Sequence, residues 1–253
     1  MKSVLKTVDL KKIYGKNNSL DGMNMEIKQG EIYGLIGNNG AGKTTLMRVI
    51  TGLAKETSGT YLLFGEKNGN ISMKNRRRVS AIIETPAFYP HLTGYQNLKI
   101  QQMEIGGKVD KAELLDMLNK VNIDYAAHKK VKTYSLGMRQ RLGIANALLS
   151  KAEFIILDEP TNGLDPSGII ELRNLILSLN ENMGITFLIS SHHISEILNM
   201  VSKIGIVKNG KMVQELEYQK MKSNLDYSRQ CRESGRKPHS YRILTEYYFS
   251  PIK

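Results

Sequence analysis

The chain has 253 residues, of which 41% are hydrophobic and 24% charged, so it can form one or two domains with a buried core, and wholesale disorder is excluded. The single cysteine, Cys231, excludes an internal disulfide and a cysteine-rich zinc site, and no run of about 18 apolar residues predicts a membrane span. A net charge of +12 suits nucleic acid, an anionic membrane surface or nucleotide phosphates as partner, unless it reflects only a lysine-rich composition. No apolar signal sequence follows Met1, so we expect the chain to stay in the cytosol.

The first part of the chain predicts short strands separated by turns. A cluster of turn-forming residues at Asn17-Asn18 separates the first two strands, and Gly52 stops the first helix. A compact apolar strand leads directly into a glycine-rich loop, so this loop is expected between a strand and a helix. The predicted strands cover residues 4–13, 25–28, 31–37 and 60–64, and the helix covers residues 44–51.

The remaining chain alternates between helical and strand patterns. Residues 85–150 are predicted to be mostly helical, and the apolar positions of residues 111–122 fall on one helix face. This alternation predicts an α/β fold with a mainly parallel sheet that is covered on both faces. The later elements are a buried strand at residues 154–157, a helix at 169–179, a strand at 186–190 and a hairpin at 204–213 around Asn209-Gly210.

The composition changes near the end of the chain. Residues 226–253 contain six lysines and arginines, three acids and four tyrosines, with almost no aliphatic side chain between residues 228 and 240. We interpret residues 221–253 as a basic tail. It could be flexible, form a small element of its own, or be a non-native continuation produced by an altered reading frame. Much of the positive charge lies here, because residues 219–253 carry eight lysines and arginines against three acids.

The glycine-rich loop matches the pattern GxxxxGK[ST]. Its glycines let the backbone curl so that successive N–H groups point at phosphate, and the following helix adds its positive end. Lys43 can reach the β- and γ-phosphates, and the Thr44 hydroxyl can bind Mg²⁺. The alternative is an ordinary glycine-rich connection. The predicted nucleotide-binding residues of this loop are Gly37, Asn38, Asn39, Gly40, Ala41, Gly42, Lys43, Thr44 and Thr45.

An acid pair follows the apolar strand at residues 154–157. Asp158 is predicted to hold Mg²⁺ directly or through water, and Glu159 to orient and polarise an attacking water. The alternative is a strand that simply ends in solvated acids. The phosphate loop earlier in the chain favours the catalytic interpretation over this one.

The segment from residue 134 to 141, Tyr-Ser-Leu-Gly-Met-Arg-Gln-Arg, resembles the signature LSGGQxQR of ABC transporter ATP-binding subunits. The resemblance covers roughly residues 2–220. In that family the segment lies at a helix start and contacts the γ-phosphate bound by the opposite subunit, which implies this role for Ser135 and Gly137. A plain helix N-cap at Ser135 is the alternative. The sequence departs from the pattern at Tyr134, Leu136 and Met138.

The resemblance implies roles for three further residues. Tyr14 lies where the family stacks an aromatic ring on adenine, although a tyrosine at a strand end is also ordinary packing. Asp165 lies in the loop that crosses the family's dimer interface, although an aspartate before a proline also suits a turn or a helix cap. His192, rather than the adjacent His193, lies where the family has a switch histidine that contacts the γ-phosphate and positions the catalytic glutamate and water.

Glu84 stands where most members of the family carry a glutamine that senses Mg²⁺ and faces the permease. A carboxylate remains an oxygen ligand, so Glu84 joins Thr44 and Asp158 as an expected metal ligand. Glutamate here, together with Ser-Leu-Gly-Met in the signature, is similar to the subgroup that exports lantibiotics and bacitracin-like peptide antibiotics. Neutral drift at a tolerant site is the alternative.

The resemblance implies a P-loop NTPase core of the RecA-like α/β type over residues 2–220. An N-terminal antiparallel β subdomain and an inserted helical subdomain at about residues 85–150 would complete the fold. It further implies a head-to-tail dimer, of two copies or with a related subunit, that hydrolyses Mg²⁺-ATP and powers a separate permease docked near residues 85–110. We expect a peripheral protein on the cytoplasmic face of a bacterial membrane, without a nucleic-acid partner. The alternatives are export of sodium, a lipid or a drug, and a nucleic-acid-associated ATPase.

Overall fold

The computed structural model describes residues 2–84 and 86–217, and the basic tail predicted at residues 221–253 lies outside these residues. Within the described part, no helix is long and apolar enough to cross a membrane. The strands are β1 Ser3–Tyr14, β2 Asn17–Lys28, β3 Ile32–Ile36, β4 Ser58–Leu63, β5 Glu66–Lys67, β6 Val79–Ile82, β7 Phe154–Leu157, β8 Thr186–Ser191, β9 Lys203–Lys208 and β10 Lys211–Glu217. The α-helices are α1 Lys43–Ile50, α2 Met73–Arg77, α3 Gly94–Glu104, α4 Lys111–Lys120, α5 Leu136–Leu149, α6 Pro166–Met183 and α7 Ile194–Ile197, and short 3₁₀ turns cover Asp124–Ala126 and Val131–Thr133.

A six-stranded sheet forms the centre of the molecule, in the order β10-β9-β3-β8-β7-β6. All its neighbouring strands are parallel except the β9–β10 hairpin at the edge. Every residue of β3, β7 and β8 is buried, as expected for parallel strands covered on both faces. The predicted α/β fold with a mainly parallel sheet is therefore confirmed.

The two faces of this sheet belong to different hydrophobic cores. On β7, Ile155 and Leu157 pack with the core that contains α4, α5 and α6. Phe154 and Ile156 point the other way and pack with α1 and the N-terminal strands. This alternation follows from the period of two along a strand. As a result, α1 is fixed between the central sheet and the second, antiparallel sheet, whose order is β2-β1-β4-β5.

Three helices, α3, α4 and α5, lie between β6 and β7 in the chain, and a buried tyrosine joins them. Tyr134 is 3% exposed, and its hydroxyl donates a hydrogen bond of 2.7 Å to the carbonyl of Ala126. The first residue of α3 must be small here, because a Cβ added to Gly94 would lie 2.3 Å from the Tyr134 hydroxyl oxygen. Tyr134 is one of the departures from the signature pattern, and the structure gives it a packing role.

Several local expectations were wrong. The turn between β1 and β2 lies at Gly15-Lys16, not at Asn17-Asn18, and β2 extends over Asn17–Lys28 instead of residues 25–28 alone. The helix predicted at residues 169–179 is longer, because it begins at Asp165 as N-cap, with Pro166 as its first residue. The short elements β5, α2 and β6 were not predicted, since an arginine-rich five-residue helix and very short strands carry no clear periodicity.

The close approach of Gly94 to Tyr134 predicts a non-additive effect on stability. Gly94→Ala should lower the free energy of unfolding by about 1–3 kcal/mol, because the added methyl group overpacks the core at the tyrosine hydroxyl. Tyr134→Phe should cost about 1 kcal/mol through the lost hydrogen bond, yet it should relieve part of the Gly94→Ala penalty. Urea denaturation of both single variants and the double variant measures the coupling. Strictly additive values would contradict this contact.

Candidate functional site

The carboxyl ends of four parallel strands bring the predicted site residues to one edge of the central sheet. The loop at residues 37–42 follows β3, Asp158 and Glu159 follow β7, and His192 follows β8. Glu84 follows β6, two residues after Ile82. Ligands of open α/β sheets bind at this edge, because the loops there converge while the strands hold them rigidly.

The loop after β3 passes so close to its surroundings that side chains would not fit at two positions. Gly42 has φ of 109°, and a Cβ added to it would lie 2.5 Å from the carbonyl oxygen of Ser19. A Cβ added to Gly37 would lie 2.5 Å from the carbonyl oxygen of Val207. These contacts explain why glycine is needed at both positions, and they place the loop against β2 and β9 directly before α1 begins.

Lys43, the first residue of α1, is 5% exposed. Its ammonium group donates a hydrogen bond of 2.6 Å to the carbonyl of Gly37, and it lies 3.0 Å from Oε1 of Glu159. A buried ammonium needs an anionic partner, and the carboxylate of Glu159 supplies it here. The loop therefore holds a cation that faces a negatively charged oxygen, as it would face a phosphate.

A chain of short hydrogen bonds connects α1 with β7 and β8. The Thr44 hydroxyl donates to Oδ2 of Asp158 at 2.7 Å, and the Ser190 hydroxyl donates to Oδ1 of the same carboxylate at 2.6 Å. The backbone N–H of Glu159 donates to the Ser190 hydroxyl at 2.7 Å. Asp158 is thereby fixed on both oxygens. Ser190 was missed by sequence reasoning, although two serines that end an apolar strand are a recognisable signal of a polar contact.

Glu159 and His192 form a direct hydrogen-bonded pair in the site. Nδ1 of His192 lies 2.7 Å from Oε2 of Glu159, and the backbone N–H of His192 donates to the same oxygen at 3.3 Å. An ionised carboxylate only accepts hydrogen bonds, so Nδ1 of His192 carries the proton. The exposed ring of His193 lies beside that of His192, with ring centroids 4.0 Å apart and the ring planes tilted by 45°. The structure thus places His192, and not His193, against the glutamate.

The charge state of Glu159 follows from these contacts. Partial burial raises the pKa of its carboxyl group, but the hydrogen bonds from His192 and Lys43 and the positive charge of Lys43 outweigh burial. The pKa of Glu159 is therefore lowered, and the carboxylate is ionised at neutral pH.

Lys43, Thr44 and Glu159 border a pocket of about 260 Å³. Its chemistry fits a phosphate and a magnesium ion. The loop offers the Lys43 cation, and Mg²⁺ is bound in proteins through one or two carboxylates together with phosphate oxygens, for which Asp158 and the Thr44 hydroxyl suffice. The pocket is lined by Asn17, Ser19, Asn39, Gly40, Ala41, Gly42, Lys43, Thr44, Thr45 and Glu159. Asn38 contributes its carbonyl, which accepts a hydrogen bond of 3.4 Å from Lys43.

Tyr14 lies beside this pocket rather than in its lining. It ends β1 opposite Asn17, which does line the pocket, and its ring is 45% exposed. The Lys12 ammonium lies 4.5 Å from the centre of the ring. An exposed aromatic ring thus lies next to the phosphate loop, and its stacking on a base stays a prediction.

Ser135 and Gly137 lie at the start of α5, outside the lining of the 260 Å³ pocket. The Ser135 hydroxyl caps the helix by accepting a hydrogen bond of 3.2 Å from the N–H of Met138. The signature segment, residues 134–141, packs on the loop before α6 and not on the 260 Å³ pocket. The Cβ position of Gly137 lies 3.6 Å from the Leu164 side chain, and that of Gly163 lies 3.1 Å from Leu136. Leu136, which departs from the signature pattern, therefore contacts this loop.

Asp165 lies in the same loop and caps α6. Its carboxylate accepts hydrogen bonds from the Ser167 hydroxyl at 2.6 Å and from the Gly168 N–H at 3.0 Å. These bonds lower the pKa of Asp165. Asp165 thus acts as a helix cap in this structure, and its side chain is exposed on the same surface as the signature.

Glu84 is the predicted metal residue that the structure does not bring to Thr44 and Asp158. Its exposed carboxylate pairs with Arg48 of α1 at 2.5 Å. Its backbone lies in the left-handed region, with φ of 66°, which is uncommon for a residue other than glycine. Arg48 was not singled out in the sequence, although it lies one helical turn after Thr44.

Comparison with known proteins agrees with this geometry. The profile of the ABC transporter family matches residues 20–162. The chain is 47% identical to the bacitracin transport ATP-binding protein BcrA of Bacillus licheniformis over 88% of this chain and 72% of that protein. It is 44% identical to the lantibiotic transport ATP-binding protein SrtF of Streptococcus pyogenes over 85% of this chain and 91% of that protein. The dimeric post-hydrolysis structure of the ATP-binding cassette MJ0796, bound to ADP and phosphate, superposes with a TM-score of 0.75 at 25% identity, covering 85% and 98% of the two chains.

The lowered pKa of Glu159 predicts a pH-dependent contribution to stability. Because the folded state favours the ionised carboxylate, its contribution is complete above the ordinary glutamate pKa of 4.5 and is lost as the pH falls through the lower folded value. Glu159→Gln should therefore destabilise the nucleotide-free protein at pH 7 and much less at about pH 3. Denaturation curves at both pH values measure this, with Glu181→Gln at an exposed position of α6 as control. An equal difference at both pH values would contradict it.

Proposed function

This chain belongs to the ABC transporter family, and we propose that it is the ATP-hydrolysing subunit that powers export of an antimicrobial peptide of the bacitracin or lantibiotic type. The ATPase part follows from the family and from the likeness to a cassette bound to the hydrolysis products ADP and phosphate. The observation that carries it is the ionised Glu159, held by His192 and Lys43 at the mouth of the phosphate loop.

Different residues at the pocket have different proposed roles in ATP hydrolysis. Mg²⁺-ATP, when bound, would supply the phosphoanhydride bond and the positive charge that neutralises its phosphates. The N–H groups of residues 37–44 and Lys43 would bind phosphate, while Thr44 and Asp158 would hold the metal. Glu84, two residues beyond β6, is the third proposed metal ligand.

Glu159 orients and polarises the attacking water, and its lowered pKa keeps it ionised for this purpose. His192 fixes the direction of that carboxylate through the 2.7 Å contact. In the present arrangement Glu159 is also paired with Lys43, so this ion pair has to open before Lys43 can contact phosphate. Opening it frees Oε1 of Glu159 for water.

The position of the signature supports a head-to-tail dimer. Ser135 and Gly137 do not line the pocket of their own chain, so they can complete a site only on another one. The positive end of α5 and the exposed Ser135 hydroxyl suit a γ-phosphate on the partner. Asp165 lies beside them and would cross the same interface, and Tyr14 would stack on adenine. The family's subunits form dimers, as the MJ0796 cassette does.

A groove next to α3 supports docking of a membrane permease. ATP-binding subunits of this family act with permeases. The groove has a volume of about 330 Å³ and includes Phe88, Tyr89 and Glu104. Phe88 packs partly against the core, whereas Tyr89 is 49% exposed, so Tyr89 is the better candidate for contact. This arrangement would place the chain peripherally on the cytoplasmic face of a bacterial membrane.

The substrate proposal rests on the relatives and on Glu84. The names of two relatives specify bacitracin and lantibiotic transport. The glutamate at position 84 and the Ser-Leu-Gly-Met signature agree with that subgroup. The permease would bind the peptide itself, and the outcome for the cell would be immunity or resistance.

Replacement of the proposed base should separate ATP binding from hydrolysis. Glu159→Gln keeps the shape of the side chain but cannot polarise water, so phosphate release should fall by about 10²–10⁴-fold while ATP induces a stable dimer. Phosphate release and size-exclusion chromatography with ATP measure the two effects, with Glu181→Gln as control. Hydrolysis at the original rate would show that Glu159 is not the base.

Loss of the gene tests the substrate. A deletion strain should become more sensitive to bacitracin or to at least one of a panel of lantibiotics, and the wild-type gene should restore resistance. The Glu159→Gln gene should not restore it, because transport needs hydrolysis. Unchanged sensitivity to the whole panel would contradict the peptide assignment and leave the ATPase in place.

A further inference from the structure

One ion pair at the edge of the site joins the proposed metal ligand Glu84 to Arg48, which has no role in the chemistry described so far. Arg48 of α1 and Glu84 after β6 contact each other at 2.5 Å, with side-chain exposures of 44% and 64%. The pair joins the helix that starts with Lys43 and Thr44 to the loop that leads into the helical region. It therefore connects the phosphate-binding helix with the segment on which the permease is proposed to dock.

The pair lies one helical turn from the proposed metal position. Thr44 and Arg48 are four residues apart in α1, so they share one face of the helix and are separated by about 6 Å along its axis. The loop of Glu84 begins beside the acid strand, because the N–H of Asp158 donates to the carbonyl of Ile82 at 2.9 Å. If the Glu84 carboxylate moved by about one helical turn along α1, it would leave Arg48 and reach a metal held by Thr44 and Asp158.

We propose that Arg48 is a positioning residue that holds Glu84 away from the metal, so that Arg48 and Mg²⁺ compete for one carboxylate. This rests on the proposed function, in which Glu84 is a metal ligand. A guanidinium is repelled by a divalent cation, so Arg48 does not follow Glu84 to the metal. The competition also explains why glutamate rather than glutamine stands at position 84, since a neutral glutamine would bind Arg48 much more weakly.

The left-handed backbone of Glu84 fits a loop that is held in place. A φ of 66° is unfavourable for a residue with a side chain, and the exposed contact with Arg48 offsets at most part of that cost. Metal binding would release Arg48 and let this segment take another position. Occupancy of the metal site would in this way be transmitted to residues 86–104, which include Tyr89 of the proposed docking groove.

Metal affinity, measured apart from activity, tests the competition. Mn²⁺ replaces Mg²⁺ in a titration followed by electron paramagnetic resonance, with the full chain and a non-hydrolysable ATP analogue. Arg48→Gln should bind Mn²⁺ about two- to five-fold more tightly, as expected for release from a surface ion pair. Arg48→Lys should keep the affinity of the original chain. Arg77→Gln on α2 removes the same charge elsewhere and should also leave the affinity unchanged.

A second background separates competition from simple repulsion of the metal by Arg48. With Glu84→Gln, the effect of Arg48→Gln should disappear, because no carboxylate remains to compete for. Tightening of equal size in both backgrounds would overturn the proposal and indicate repulsion alone. No tightening by Arg48→Gln, with weakened binding in Glu84→Ala, would also overturn it while keeping Glu84 as a ligand.

The remaining outcome concerns the metal role itself. If Glu84→Ala leaves Mn²⁺ affinity unchanged, Glu84 is not a ligand and the competition proposal fails with it. The ATPase would be unaffected by that result, because it is tested separately by Glu159→Gln and phosphate release.

Discussion

The buried ammonium group of Lys43 requires an anion, and the rest of the site is arranged around that requirement. In this structure Glu159 supplies the anion at 3.0 Å, while His192 holds the other oxygen of the same carboxylate. The proposed base is therefore positioned by the cation that the phosphates of ATP would bind. The Glu159 carboxylate both neutralises Lys43 and is proposed to activate water, so phosphate binding and activation of water are linked through this one ion pair.

The central sheet makes this arrangement possible. Strands β3, β7 and β8 are adjacent, parallel and buried on both faces, so the residues that follow them must meet at one edge. Ser190 connects the acids by contacting both Asp158 and the Glu159 N–H. The same geometry leaves Ser135 and Gly137 outside the pocket, which is why one chain supports only half of the proposed catalytic site.

The departures from the family signature have local causes in the packing. Tyr134 fills the core of the helical region against Gly94, and Leu136 contacts Gly163 in the loop before α6. Neither residue removes the Ser135 hydroxyl or the positive end of α5. Glu84 differs, since its change from the usual glutamine creates a charged contact with Arg48 and thereby adds an interaction rather than filling space.

The sequence by itself determined the phosphate loop, the acid pair and the order of the longer strands and helices, because glycine spacing, apolar runs and terminal acids are local signals. Sequence reasoning missed Ser190 and Arg48, whose partners are 32 and 36 residues away in the chain. It also misplaced the first turn and missed β5, α2 and β6, where short segments follow tertiary contacts rather than periodicity. The resemblance already favoured His192 over His193, whereas only the tertiary structure decided that Glu84 contacts Arg48, because the partner of a side chain depends on what folding brings beside it.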